Sequence, residues 1–141
     1  QSSSFANLTD DCKKLVFQYF VYFIRSKDSF TENYIEFFKK YVVCWSFRNF
    51  QLDISEFFQM IQGNEKPFQS IDLMMNSNLN LKVFQSLKGV HSLNFSYCSN
   101  MSFINEALEY LQEVKILNLR GIKELTSKNF HHLCLFIDAR L

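Results

Sequence analysis

Four times between residues 47 and 122 the chain repeats one short pattern: an apolar residue, two others, an apolar residue, one other, an apolar residue. The copies are Phe47, Phe50, Leu52; Phe68, Ile71, Leu73; Val90, Leu93, Phe95; and Val114, Leu117, Leu119. Their first positions stand 21, 22 and 24 residues apart, a period that belongs to stacked repeat architectures. Alternate residues of a short strand share a face, so the last two apolar positions of each copy point inward together. Further apolar groups follow at helical spacing: Leu81, Phe84 and Leu87; Ala107, Leu108 and Leu111; Phe130, Leu133 and Ile137. The expected unit is a strand with a returning helix, which buries its apolar face only by stacking on its neighbours. The fold class is α/β, a short solenoid with parallel strands along its inner curve.

The third and fourth copies carry more detail, reading LNFSYCSNMS from Leu93 and LNLRGIKELTSKNFHHL from Leu117. They resemble the cysteine-containing subclass of leucine-rich repeats. In that family the residue three places after the last apolar position hydrogen-bonds the turn backbone. Asn76 and Cys98 stand there, whereas Ile122 departs from the pattern.

A chain of 141 residues suffices for one compact domain. Its formal charge of +1 gives no electrostatic reason to expect nucleic acid or an acidic membrane as partner. No apolar run reaches the length of a membrane span, the longest, Leu15 to Ile24, being broken by Gln18. Cys12, Cys44, Cys98 and Cys134 show no metal-ligand spacing and are expected as reduced, packed thiols. No metal or other cofactor is expected. An enzyme is not expected either, because His91, His131 and His132 are tied to no nucleophile motif, and Glu106, Glu109 and Glu113 read as a solvated helix face.

Ahead of the repeats, Thr9 can cap a helix with Asp10 and Asp11 in its first turn. Apolar residues on two sides carry that expected helix from Leu8 to Ile24. Ser29 and Glu32 offer a capping box for a second helix, with Ile35, Phe38, Tyr41, Val42 and Trp45 as its apolar face. Leu8, Asp11, Val16, Phe17 and Phe20, followed by Val43, Cys44, Phe47 and Arg48, resemble the two halves of an F-box. Thr9 stands where that motif usually has Pro, and the segment between the halves is longer than usual.

An F-box-like segment (1–46) feeding leucine-rich repeats (47–141) is the layout of substrate receptors of SCF ubiquitin ligases. The resemblance implies a cytoplasmic or nuclear protein that binds the Skp adaptor, and through it a cullin, by Leu8, Cys12, Val16, Phe17, Phe20, Val43 and Phe47. It implies that an unidentified substrate protein lies on the strand face, at Asp72, Met74, Asn94, Ser96, Asn118 and Arg120. There Gln51, Asp72, Asn94 and Asn118 are expected to stack in one column. Leu8, Cys12 and Val16 also resemble the box that binds elongin C. The alternative of a different class is a repeat interaction module whose N-terminal helices merely cap the core.

Overall fold

Three-residue strands, each with one central residue that faces its neighbours' central residues, recur along the chain and meet in one parallel sheet. The computed structural model describes residues 7–17, 21–23, 36–37, 40–50, 53–61, 68–126 and 138–140. Strands β1 (Val21–Phe23), β2 (Cys44–Ser46), β3 (Ser70–Asp72), β4 (Ser92–Asn94), β5 (Ile116–Asn118) and β6 (Asp138–Arg140) lie side by side in chain order. From one first residue to the next the spacings are 23, 26, 22, 24 and 22. The central residues form a single row in register: Tyr22, Trp45, Ile71, Leu93, Leu117 and Ala139. Of these Trp45, Ile71, Leu93 and Leu117 are buried.

Helices return between the strands. In α2 (Ile54–Ile61), Asp53 accepts the Ser55 N–H at 2.8 Å, while Ile54 and Phe58, four apart, go into the core. In α3 (Leu81–Gln85), Asn80 caps the Val83 N–H at 3.2 Å and donates its amide to Ser55 Oγ at 3.3 Å, tying one helix start to the next. Next comes α4 (Ile104–Ala107), which continues as a 3-10 turn over Leu108–Leu111. One continuous apolar cluster joins these helices to the strands from Val42 to Ile122. Phenylalanine supplies much of it: Phe47 lies against Phe50 and Phe58, and Phe84 stacks on Phe95 with centroids 4.7 Å apart. Each fully buried ring is worth about 1.5–3 kcal/mol over an exposed one.

The N-terminal segment differs from the sequence reading. Thr9 does begin a helix, accepting the Cys12 N–H at 3.3 Å, but α1 is Asp10–Phe17 and does not run to Ile24. Val21–Phe23, a Val-Tyr-Phe run suited to a pleated strand, is β1 and pairs with β2. Nor does a helix run through Trp45: residues 40 and 41 are helical, and Cys44–Ser46 is β2. The first copy of the repeat is therefore Val42, Trp45, Phe47, and not Phe47, Phe50, Leu52. Both readings satisfy the pattern in this apolar stretch, and pairing with β3 selects one. Sheet pairing, β1 with β2 and β2 with β3, also crosses the expected division at residues 46 and 47. Ser29, Glu32, Ile35, Phe38, Gln51, Leu52, Phe130, Leu133 and Ile137 lie outside the described residues. No helix among the described residues is long and apolar enough to cross a membrane.

Candidate functional site

Where strands β2 to β5 end, the chain makes similar turns, and these turns build a rim along one end of the sheet. Its first element is a polar residue closing the strand: Ser46, Asp72, Asn94 and Asn118 share one register row. Three of them fold back on their own backbone. Asp72 Oδ1 accepts the Met74 N–H at 3.0 Å, Asn94 Oδ1 the Ser96 N–H at 3.0 Å, and Asn118 Oδ1 the Arg120 N–H at 3.1 Å. These are Asx turns, which short polar side chains form readily.

The second element is a left-handed residue three places later. Asn49, Met75, Tyr97 and Gly121 have φ of 54°, 61°, 58° and 76°. In the first, third and fourth turns a backbone hydrogen bond closes around it: Phe50 N–H to Phe47 O, Cys98 N–H to Phe95 O, Ile122 N–H to Leu119 O. Asn and Gly suit this conformation. Met and Tyr do not, and each costs on the order of 1–2 kcal/mol there. Rungs run on past the strands, from Asn49 N–H to Met74 O, Met75 N–H to Ser96 O and Tyr97 N–H to Arg120 O, so the turns are spaced as rigidly as the sheet.

The third element is a buried residue behind the turn: Phe50, Asn76, Cys98 and Ile122. Asn76 donates Nδ2 to Phe47 O at 2.7 Å and Leu73 O at 2.8 Å, and Cys98 donates Sγ–H to Leu73 O at 3.1 Å. Both side chains thus stitch their own turn to the one before it. Burial pushes the Cys98 thiol up to about 11.

What the rim presents outward is decided by these internal bonds. Asp72 is occupied: Arg48 reaches its Oδ2 with Nη2 at 2.7 Å and Nε at 3.1 Å, and Ser46 Oγ lies at 3.4 Å. Asn94 accepts from Ser96 Oγ at 2.7 Å. Ser96 is buried, so of the six residues expected to meet a substrate it is turned inward. Asp72, Asn94 and Asn118 are half-buried turn formers, and Met74 is half-buried beside them. Arg120 alone of the six is exposed. In the expected column Ser46 takes the place assigned to Gln51.

Sequence reasoning missed the exposed apolar positions Met75 and Tyr97, each 48% exposed, while Ile116, read as outward-facing from the strand alternation, is exposed to the same extent. The column of left-handed residues could have been found from Asn49 and Gly121, which stand at the same offset after the strand, once the first copy is read from Val42.

Residues assigned to adaptor docking are dispersed. On α1, Cys12 is exposed, Val16 is half-buried and the neighbouring Leu15 is 61% exposed, while Leu8, ahead of the helix, is half-buried. Cys12 is therefore not the packed thiol expected. Phe47 lies in the core and cannot reach a partner. Val43 is half-buried, Phe20 lies outside the described residues, and Phe17 is placed only as the last residue of α1. Among the described residues no group of three or more His, Cys, Asp and Glu is placed to hold a metal ion.

The fold is α/β, a parallel sheet with intervening helices. No protein-family model, curated protein or solved structure matches this chain.

Proposed function

We propose that the chain is a protein-recognition module, a short leucine-rich-repeat solenoid that offers the rim at the strand ends to a partner. One observation carries this reading. The same strand end and left-handed residue recur in four successive turns, each with a buried residue behind it, so side chains at the left-handed positions are held at regular spacing along the strand ends. Repeat surfaces bind through such columns. The test is selection of a random peptide display library on the intact chain. Enriched peptides are expected to lose binding to Tyr97→Asn and to keep it for Tyr110→Asn on the helix side. Equal loss for both variants, or no enrichment, would remove the rim from the function.

The narrower reading is a substrate receptor of an SCF ubiquitin ligase, acting in cytoplasm or nucleus, with α1 docking on the Skp adaptor. The exposure of Cys12 and Leu15 supports it, since a helix that only capped the core would bury its apolar side chains. Purified Skp adaptor and, in parallel, elongin B/C are the probes. The receptor reading expects tight binding to the first that Leu15→Asp abolishes; binding to elongin alone changes the partner, and binding to neither leaves the module without a ubiquitin role.

A further inference from the structure

Two of the four left-handed positions hold residues that the backbone does not favour. Asn49 and Gly121 show what the turn accepts without strain; Met75 and Tyr97, between them in register, are bulky, and neither recovers its strain by burial. Backbone strain kept at side chains that stay half exposed points toward function. Tyr97 is also held in place from the next turn. A Cβ on Gly121 would stand 2.6 Å from Tyr97 Cδ1 and 3.0 Å from Cε1, so the ring lies across Gly121, where only a glycine admits it. The guanidinium of Arg120 is 5.8 Å from the ring centroid. Unlike Arg48, which is spent on Asp72, Arg120 has no carboxylate within ion-pair distance among the described residues. Lys123, exposed two places beyond Gly121, adds a second cation.

Resting on the reading of the chain as a protein-recognition module, we propose that Met75, Tyr97 and Arg120 form its anchor subsite, and that the subsite takes a peptide segment carrying an apolar side chain beside a carboxylate. The apolar side chain lies on the Tyr97 ring against Met75, and the carboxylate meets Arg120. Aromatic and Arg side chains grouped in this way are the usual carriers of binding energy at protein interfaces. Charge complementarity sets the sign: Arg120 stands beside the ring with no carboxylate within ion-pair distance among the described residues, while Asp72, on the same rim, is already paired with Arg48.

Fluorescence anisotropy on the full chain tests this with two labelled nonapeptides, one with a central Leu flanked by Asp and one with Lys in place of each Asp. The acidic peptide is expected to bind, the basic one not, and the affinity to fall with added salt. Tyr97→Asn and Arg120→Glu should each weaken binding by about tenfold or more, and Tyr97→Asn should do so with unfolding temperature held or raised, because Asn relieves the strain. Equal binding of both peptides overturns the subsite chemistry. Failure of both peptides alongside success of the display selection overturns this inference and leaves the module standing. Preference of the same ring for a single-stranded oligonucleotide over the acidic peptide also overturns it.

Discussion

At Gly121 two constraints coincide, a φ of +76° and a Tyr97 ring where a Cβ would go. Gly121→Ala is therefore expected to lose about 1–3 kcal/mol in urea denaturation. In a Tyr97→Ala background part of that loss should vanish, because the ring is gone and only the φ strain remains; additive losses would show that ring and glycine do not touch. Asn76 works through its amide donors. Asn76→Leu removes both donors, leaving Phe47 O to the Phe50 N–H and Leu73 O to the Cys98 thiol, and about 1–3 kcal/mol is expected to go with the two lost bonds. Asn76→Cys should lose less, since Cys98 reaches Leu73 O from the equivalent place at 3.1 Å.

Helix α1 is pinned by one carboxylate. Asp10 accepts from Lys40 Nζ at 2.8 Å and Tyr41 Oη at 2.6 Å, and these hydrogen bonds, Lys40 first, hold its carboxyl at about 2 against an ordinary 3.8. A carboxyl acid-shifted by folding stabilises the fold above its unfolded value and loses that contribution as pH falls from about 4 to about 2. Tyr41, donating to the same carboxylate, is pushed above its usual range by that bond and then by burial, so its contribution fades only at strongly alkaline pH. Asp10→Asn should abolish the acid-side step in amide exchange across residues 10–17 and leave exchange in β3 to β5 unchanged. A step of the same size in the variant would assign it to another group. Along the same helix Cys12 is exposed while Cys98 is buried with a raised thiol, so mildly alkaline iodoacetamide should label Cys12 in the native chain and Cys98 only after denaturation.

Across the whole molecule, each inner strand pairs with one neighbour on either side, and the apolar cluster has no break between Val42 and Ile122. Damage in the middle should therefore be felt throughout. Leu93→Ala, at a fully buried site in β4, is expected to remove about 2–5 kcal/mol. Because Trp45 lies in the same core two strands away, its fluorescence and the far-UV circular dichroism should report one shared transition, shifted together by the substitution. Two separated transitions would mean that β2 and β4 unfold independently.

The apolar rows of β3, β4 and β5 and the α1 cap at Thr9 follow from the sequence alone, because each is a matter of spacing within a few residues; the stitching role of Asn76 and Cys98 is implied only by the resemblance to cysteine-containing repeats. The tertiary structure decided what spacing could not. From Val42 to Phe58 apolar residues occur in nearly every phase, so two registers fit the same pattern, and the rung from β2 to β3, 26 residues away, selects Trp45 as the partner of Ile71. The same long-range pairing drew Val21–Phe23 out of the expected helix and into the sheet. It also settled which polar residues face a partner. Asp72, Asn94 and Asn118 read as a free column, but each is turned onto its own backbone. The strained turns leave Met75 and Tyr97 outward instead, because a left-handed backbone points its side chain away from the core that the flanking residues fill.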